Sequence, residues 1–259
     1  PGPAVAPPSP PSGAPAWARA FEVGPEAPDA DRRGPPPPGG ITAIWADRGP
    51  APGTPFAVVG LRAGQAAALD VEGRTLWTFR AGDAACAVAA FDSGGPRRVL
   101  VGADDATLTC LDAEGRTVWQ REFPVSEHTR PYPWWHLGKG RVRSISLMDL
   151  DGDGKPEIVV GTGGATLHLL DTDGNERWRY PLRWGMAMNA FAIDVNGDGR
   201  RELLGGMDRL AMTSRVHVFG SDGSLLPQQY TKVWPGESVR PPSWEQTGSS
   251  GVDFRNRNG

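Results

Sequence analysis

Short apolar runs that end at glycine recur along the middle of the chain. They lie at residues 58–60, 99–102, 158–161 and 203–206. Apolar runs of this length, bounded by turn-forming residues, are typical of buried strands rather than of helices. After each run the chain passes through a polar or glycine turn into a second apolar segment. The pattern therefore predicts successive antiparallel strands.

These strands belong to a repeat. Residues 58–77, 99–119 and 158–178 superimpose, and each segment ends in Leu-Asp-x-x-Gly-x-x-x-Trp. A fourth unit, residues 204–226, is looser and lacks the tryptophan. The Asp-x-x-Gly step supplies a side-chain acceptor and a residue that tolerates positive φ, as a tight hairpin requires. A further predicted strand precedes each unit, at residues 41–45, 86–91, 142–148 and 188–193.

Four antiparallel strands per unit form the blade of a β-propeller. The predicted fold is therefore all-β, a β-propeller with about four visible blades, at residues 41–80, 84–123, 141–180 and 187–226. Residues 1–40 hold half of the prolines and are predicted to be a linker, in which residues 17–21 resemble a blade-ending strand. Residues 227–259 are predicted to be an irregular tail that includes the start of a further blade. Because propellers close with about four to eight blades, we expect a fragment of a larger propeller, with a closed four-bladed ring as the alternative.

Two acidic loops occupy matching places in the third and fourth units. They are Asp149-Leu-Asp151-Gly-Asp153-Gly-Lys-Pro-Glu157 and Asp194-Val-Asn196-Gly-Asp198-Gly-Arg-Arg-Glu202. Each loop puts oxygen-bearing side chains at its first, third, fifth and ninth positions, with glycines where the chain turns. Ca²⁺ takes about six to eight oxygen ligands at about 2.3–2.6 Å. The sequence therefore predicts two Ca²⁺ sites, one held by Asp149, Asp151, Asp153 and Glu157 and one by Asp194, Asn196, Asp198 and Glu202.

An EF-hand does not fit these loops. It requires a bidentate acid at the twelfth position and a helix on each side. The twelfth positions here are Val160 and Gly205, and a predicted strand follows each loop. Dockerin modules, which carry a similar acidic string, fail the same test. The loops are therefore predicted to join two strands of one blade.

The first two units lack most of these acids. In the second unit, Ala90, Gly94 and Arg98 align with three of the predicted ligands, while Gly95 keeps the turn. The loop of the first unit, residues 47–55, contains one acid and three prolines. We expect two metal sites rather than four, with the guanidinium of Arg98 replacing the cation in the second blade.

Two families resemble this repeat. The Leu-Asp-x-x-Gly-x-x-x-Trp ending resembles PQQ-like, quinoprotein-type propeller repeats. The acidic loop followed by an apolar run and glycine resembles the calcium-binding FG-GAP and VCBS repeats of integrin-like propellers. Together these resemblances cover residues 41–226. They imply a propeller in which calcium holds strand hairpins and the tryptophans plug the gaps between blades.

The largest connection between predicted blades spans residues 124–140. It lies on the face opposite the acidic loops, near the central channel, and Trp184 lies on the equivalent connection of the next blade. Exposed aromatic side chains beside polar groups suit a sugar or another flat ligand, although packing of the tryptophans across the blades would explain them as well. The candidate ligand-binding residues are Tyr132, Trp134, Trp135, His136 and Trp184.

Composition narrows the classes of partner. The net charge is −3, and no basic stripe appears, which argues against nucleic acid. No apolar run reaches transmembrane length, and no signal peptide is visible. Cys86 and Cys110 are predicted in the first and third strands of one blade, so an intervening strand keeps them from forming a disulfide.

Two classes of function remain open. One is a non-catalytic, calcium-stabilised module that is extracellular, at the cell surface or periplasmic, and that binds a protein or glycan partner or associates with itself. The other is part of a propeller enzyme that resembles a quinoprotein dehydrogenase or a calcium-dependent rhamnogalacturonan lyase. The sequence offers no catalytic residue for either reaction, and the separate Cys86 and Cys110 do not match the adjacent-cysteine disulfide of those dehydrogenases.

Overall fold

The computed structural model describes residues 40–47, 57–92, 94–125, 130, 139–181, 186–194, 197–208, 214–224 and 252–254. Within these residues all regular structure is β-strand, arranged in four antiparallel sheets of four strands each. No helix in this part of the chain is long and apolar enough to cross a membrane. The all-β prediction and its four-stranded units are confirmed.

The strands follow one another along the chain within each sheet. The first sheet contains β1 (Ile41–Ala46), β2 (Ala57–Leu61), β3 (Gln65–Leu69) and β4 (Thr75–Arg80). The second contains β5 (Ala85–Phe91), β6 (Arg98–Ala103), β7 (Thr107–Leu111) and β8 (Thr117–Glu122). The third contains β9 (Val142–Met148), β10 (Glu157–Thr162), β11 (Thr166–Leu170) and β12 (Glu176–Pro181). The fourth contains β13 (Met186–Ile193), β14 (Glu202–Asp208), β15 (Ser214–Phe219) and β16 (Val252–Phe254).

The last strand differs from the expectation for the tail. Residues 252–254 were predicted to begin a further blade, but β16 pairs with β15, with Val252 opposite Val216 and Phe254 opposite Ser214. The short strand satisfies backbone N–H and C=O groups that β15 would otherwise present at an open sheet edge. It therefore completes the fourth sheet.

The sheets are arranged as the blades of a propeller. The first strands of consecutive sheets contact one another, β1 with β5, β5 with β9 and β9 with β13. The fourth strands β4 and β8 alternate between exposed and half-buried residues, whereas the second and third strands are almost wholly buried. First strands thus line the axis, and fourth strands form the rim.

One apolar cluster fills each gap between neighbouring sheets. Along β10, Ile158 and Val160 pack toward the second sheet with Leu108, whereas Val159 packs toward the fourth sheet with Leu203. Side chains alternate between the two faces of a strand, so a strand buried on both faces is apolar throughout. Burial of each such side chain contributes about 1.5–3 kcal/mol.

The strands β1 and β13, the first strands of the first and last described sheets, expose large apolar side chains. The exposed fractions are 57% for Ile41, 68% for Ile44, 65% for Phe191 and 51% for Ile193. In a ring closed after four blades, β1 and β13 would cover each other as β5 and β9 do. The described sheets therefore form an open arc of propeller blades.

In each of the first three sheets, a tryptophan ring lies against a glycine of the next sheet. The glycine is the last residue of an Asp-x-x-Gly or Gly-x-x-Gly turn and has φ of 82° or 83°. A Cβ atom at this glycine would lie 2.6–2.8 Å from a ring atom, so no other residue fits without displacement of the ring. The pairs are Trp77 with Gly115, Trp119 with Gly174 and Trp178 with Gly223.

Hydrogen bonds fix the orientation of two of these rings. Nε1 of Trp77 donates to the carbonyl oxygen of Ala113 at 2.9 Å, and Nε1 of Trp119 donates to that of Thr172 at 3.1 Å. Both acceptors lie in the turn that the ring covers. The role of the tryptophans as plugs between blades is therefore confirmed.

Gly174→Ala is expected to destabilise the protein by about 2–4 kcal/mol. Positive φ costs a non-glycine residue about 1–2 kcal/mol, and the clash with Trp119 adds about 1–3 kcal/mol. Gly94→Ala is the matched control, because Gly94 also has positive φ, 76°, but a Cβ there would meet nothing within 4 Å. Urea unfolding of both variants measures the difference. Equal losses of stability would contradict a role for the ring contact.

Candidate metal centre

The loops between first and second strands lie side by side on one face of the arc. Each begins with an aspartate directly after the first strand, and the four residues are Asp47, Asp92, Asp149 and Asp194. The loops of the third and fourth sheets each span eight residues between strands, 149–156 and 194–201. The loop of the second sheet, 92–97, spans six.

The third-sheet loop brings three carboxylates together. Oxygens of Asp149, Asp151 and Asp153 all lie within 4.8 Å of one another. Gly152 and Gly154, with φ of 81° and 82°, turn the chain around them. Three of the four ligands predicted for this loop therefore converge.

Backbone N–H groups hold these carboxylates in place. Asp149 accepts from the N–H of Gly152 at 2.7 Å and from that of Gly154 at 3.3 Å. Asp151 accepts from the N–H of Asp153 at 3.2 Å, and Asp153 accepts from that of Lys155 at 2.7 Å. The loop thus positions its acids through its own backbone.

Glu157, the fourth predicted ligand of this loop, lies apart from the three aspartates. It begins β10 and is only 1% exposed. One carboxylate oxygen accepts from the N–H of Leu150 at 2.8 Å, and the other lies 2.9 Å from Nη1 of Arg177. Burial raises the pKa of Glu157 above its usual range.

Arg177 is a part of this site that sequence reasoning missed. Its Nη1 also lies 2.9 Å from Oδ2 of Asp151, and this hydrogen bond lowers the pKa of Asp151. A signal was present in the repeat, because the residue before the tryptophan is Leu76 in the first unit and Val118 in the second. Only the third of these units has a charged residue there.

The fourth-sheet loop repeats the same backbone. Asp194 accepts from the N–H of Gly197 at 2.6 Å and from that of Gly199 at 2.9 Å. Asp198 accepts from the N–H of Arg200 at 2.8 Å, and Glu202 is buried at the start of β14. Asn196, predicted as the third-position ligand, lies outside the described residues.

An arginine connects the two acidic loops. Nη1 of Arg201, from the fourth-sheet loop, donates to the carbonyl oxygen of Asp149 at 2.8 Å. The first residue of one loop is thus tied to the eighth of the other. This contact couples the conformations of the two loops.

The second-sheet loop contains a cation, but it is not the predicted one. Nη2 of Arg97 lies 2.7 Å from Oδ2 of Asp92 and 2.7 Å from Oδ2 of Asp47, which links the loops of the first and second sheets. The guanidinium also lies 5.4 Å from the ring centroid of Trp45. Arg98, which was predicted to replace the cation, begins β6 opposite Phe91, and the described ion pairs of this loop are made by Arg97 instead.

The shorter loop changes the alignment at the start of the loop. An alignment that matches the tryptophans places Ala90 opposite Asp149, but Ala90 lies within β5 and Asp92 is the residue that follows the strand. Because the loop is two residues shorter, the positions before the gap shift by two, whereas Arg98 and Glu157 both begin the second strand, opposite Phe91 and Met148. Asp92 therefore corresponds to Asp149, and Arg97 precedes the second strand.

The predicted ligand-binding residues lie outside the described part, and other titratable side chains of interest are buried. The aromatic candidates Tyr132, Trp134, Trp135, His136 and Trp184 lie outside the described residues. His168 is 1% exposed, and its Nδ1 lies 2.8 Å from Glu176, while burial lowers its pKa. Cys86 and Cys110 are free thiols, as predicted, and burial raises the pKa of each to about 12.

Comparison with known proteins supports propeller repeats. The model of the FG-GAP-like repeat family matches residues 149–205, which contain both acidic loops. No curated protein sequence matches the chain. The chain is therefore built from repeats of the propeller kind, and its fold with an FG-GAP-like repeat fits a binding or structural module.

Solved propeller structures are similar to the described sheets. The Dos1 propeller superimposes with a TM-score of 0.51 at 12% identity, over 72% of this chain and 46% of that one. BamB from Moraxella catarrhalis has a TM-score of 0.41 at 21% identity, over 72% and 60% of the two chains. BBS1N, in its complex with ARL6DN, has a TM-score of 0.48 at 15% identity, over 80% and 56%. The chain thus spans about half of the length of the structures it matches, and the Dos1 likeness supports the β-propeller fold.

Arg97→Gln is expected to destabilise the protein by about 1–3 kcal/mol, because it leaves Asp92 and Asp47 facing each other without their shared cation. Arg98→Gln removes the same charge from the neighbouring residue and is expected to cost less than about 0.5 kcal/mol. Chemical unfolding of the two variants at low and high salt compares them. A larger loss for Arg98→Gln would contradict the assignment.

Proposed function

We propose that the chain is a non-catalytic β-propeller module that Ca²⁺ stabilises and that binds a partner outside the cytoplasm. The observation that carries this proposal is the convergence of Asp149, Asp151 and Asp153 in a loop whose glycine N–H bonds to the first aspartate recur from Gly197 and Gly199 to Asp194. A non-catalytic role is favoured because the converging carboxylates lie in exposed hairpin turns, where a cation would brace the turn.

The donor set fits a hard cation. Three carboxylates within 4.8 Å repel one another, and carboxylate oxygens are the ligands that Ca²⁺ prefers. Arg177 offsets part of this negative charge through Asp151, so Ca²⁺ would compete with the guanidinium for that carboxylate. Glu157 would then act on the site through Arg177 and the N–H of Leu150.

Stabilisation follows from where the loops lie. Each acidic loop joins the axial strand of a blade to a buried second strand, β9 to β10 and β13 to β14. A cation that binds only the folded loop stabilises the native state by about 2.7 kcal/mol when its concentration is a hundred times the Kd. The contact between Arg201 and Asp149 would transmit the effect from one blade to the next.

The compartment follows from the affinity that such loops provide. Extracellular modules bind Ca²⁺ with Kd of about 10⁻⁴–10⁻³ M, and we propose an affinity in this range for loops that are exposed to solvent. Millimolar external Ca²⁺ fills sites of this strength, whereas cytosolic Ca²⁺ leaves them empty. We therefore place the module extracellularly, at a cell surface or in a periplasm.

The partner is proposed to be a protein or a glycan. Propeller blades present one face of short turns and another of connections between blades, and the aromatic candidates from Tyr132 to His136 belong to such a connection. The exposed Ile41, Ile44 and Phe191 of β1 and β13 also offer a surface for association with further blades or a second copy, because exposed apolar strands favour pairing.

Removal of Ca²⁺ is the direct test. The melting temperature is expected to fall by several degrees when EDTA replaces millimolar CaCl₂, and titration calorimetry is expected to show two sites. Asp151→Ala and Asp198→Ala are each expected to remove one site. Asp173→Asn, which removes an exposed acid from a turn outside the loops, should leave both sites intact. Absence of any Ca²⁺-dependent change in melting would overturn the proposal.

A further inference from the structure

A β-bulge occurs at the same place in the first strand of the first three sheets. In each sheet one residue of that strand has no partner on the second strand. A bulge of this kind changes the direction of the side chain of its extra residue and often lies beside a functional site. The register passes from Ile41↔Leu61 to Ala43↔Gly60, from Ala85↔Ala103 to Ala87↔Gly102, and from Val142↔Thr162 to Ser144↔Gly161.

The three extra residues, Thr42, Cys86 and Arg143, line one cavity. Its volume is about 200 Å³, and Arg62, Ala84 and Asp104 complete its wall. Because first strands lie at the axis, and because the cavity is at the start of these strands, it lies near the axis on the face opposite the acidic loops. We call it the axial cavity.

Arg62 and Asp104 occupy equivalent positions in the first and second sheets. Each is the first residue after the second strand, and its N–H donates to the carbonyl oxygen that precedes the first strand. These bonds join Arg62 to Gly40 at 3.0 Å and Asp104 to Ala84 at 2.9 Å. Equivalent positions in neighbouring blades thus place a basic side chain, Arg62, and an acidic side chain, Asp104, in the wall of the same cavity.

Among the described residues, the arginines at the axial cavity outnumber the carboxylates. Asp104 is shared between Nη1 of Arg143 at 3.4 Å and Nη1 of Arg141 at 3.7 Å. Among the described residues no carboxylate pairs with Arg62. Arg62 and Arg143 in the cavity wall and Arg141 beside it thus lie near one described carboxylate, that of Asp104, and the neighbouring Lys139 is paired with Asp83 at 3.2 Å.

Two donors and one acceptor beside this cavity are also left over. The Nε groups of Arg141 and Arg143 are buried without a hydrogen-bond partner in the part of the chain that the structure describes, as is Oδ1 of Asp104. Two arginines elsewhere make short pairs, Arg74 with Asp70 at 2.6 Å and Arg116 with Asp112 at 2.7 Å. Arg141 and Arg143 differ because their pairs with Asp104 are longer, at 3.7 and 3.4 Å, and their Nε groups have no described partner.

We propose that the axial cavity binds an anionic oxygen group, a carboxylate or a phosphate, between the guanidinium groups of Arg62 and Arg143. A guanidinium presents its N–H donors in a planar fork that matches two oxygens of either group. Cys86 suits such a neighbour, because burial raises the pKa of its thiol to about 12 and the thiol stays uncharged. Thr42 orders the wall through a hydrogen bond from Oγ1 to the carbonyl oxygen of Ala85.

This site does not depend on Ca²⁺. It lies on the opposite face from the acidic loops and uses no residue of theirs. The anion test is therefore performed in EDTA, and its failure would leave the calcium proposal untouched. The reverse also holds, since loss of the Ca²⁺ effect would say nothing about the axial arginines.

Titration calorimetry of the full chain tests the proposal with two probes, sodium phosphate and N-acetylaspartate, at ionic strength held constant with NaCl. We expect saturable binding of at least one probe to one site per chain, and the probe that binds more tightly identifies the group. Arg62→Gln is expected to weaken binding at least tenfold. The exposed side chain of Arg62 has no acidic partner to lose, so this variant should fold normally.

Arg200→Gln is the matched control, because it removes the same charge from an exposed position in an acidic loop on the other face. It should change the affinity less than twofold. Arg143→Gln should weaken binding as Arg62→Gln does, and if it fails to fold, Arg62→Gln decides alone. The proposal would be overturned if neither probe showed saturable binding, or if Arg200→Gln lost as much affinity as Arg62→Gln.

Discussion

The contact between a tryptophan ring of one sheet and a glycine of the next determines how the blades are placed. The rings of Trp77 and Trp119 pack directly on Gly115 and Gly174, where a Cβ atom would overlap them. Their Nε1 hydrogen bonds fix the orientation of the rings. The rim contacts set the distance and rotation between sheets. The apolar clusters between sheets and the contacts among the axial strands follow from that spacing.

Once the blades are in register, the two faces of the arc acquire different chemistry. On one face the hairpin loops lie side by side, and charges pair between blades: Arg97 joins Asp92 to Asp47, and Arg201 reaches the backbone of Asp149. The second blade carries an arginine where the third gathers carboxylates, so the same loop position is filled by a cation from the protein itself. On the other face the bulges direct polar side chains into the axial cavity.

The sequence predicted what is encoded locally. The repeat, the strands and the convergence of Asp149, Asp151 and Asp153 depend on spacing within one unit, and the tryptophan plugs were implied by the resemblance to PQQ-like repeats. The roles of Arg97 and Arg177 were missed because they depend on loop length and on register between strands. The bulges were invisible for a related reason: Thr42, Cys86 and Arg143 share no chemistry, so only the pairing of the strands shows that their positions are equivalent.

The central claim is that the paired acidic loops hold cations that brace consecutive blades. Anomalous diffraction from crystals grown with CaCl₂ tests it most directly, with data collected at a wavelength where calcium scatters anomalously. The account predicts one anomalous peak among the carboxylates of Asp149, Asp151 and Asp153 and a second at the loop of Asp194 and Asp198. Clear density for both loops with no anomalous peak at either would contradict it.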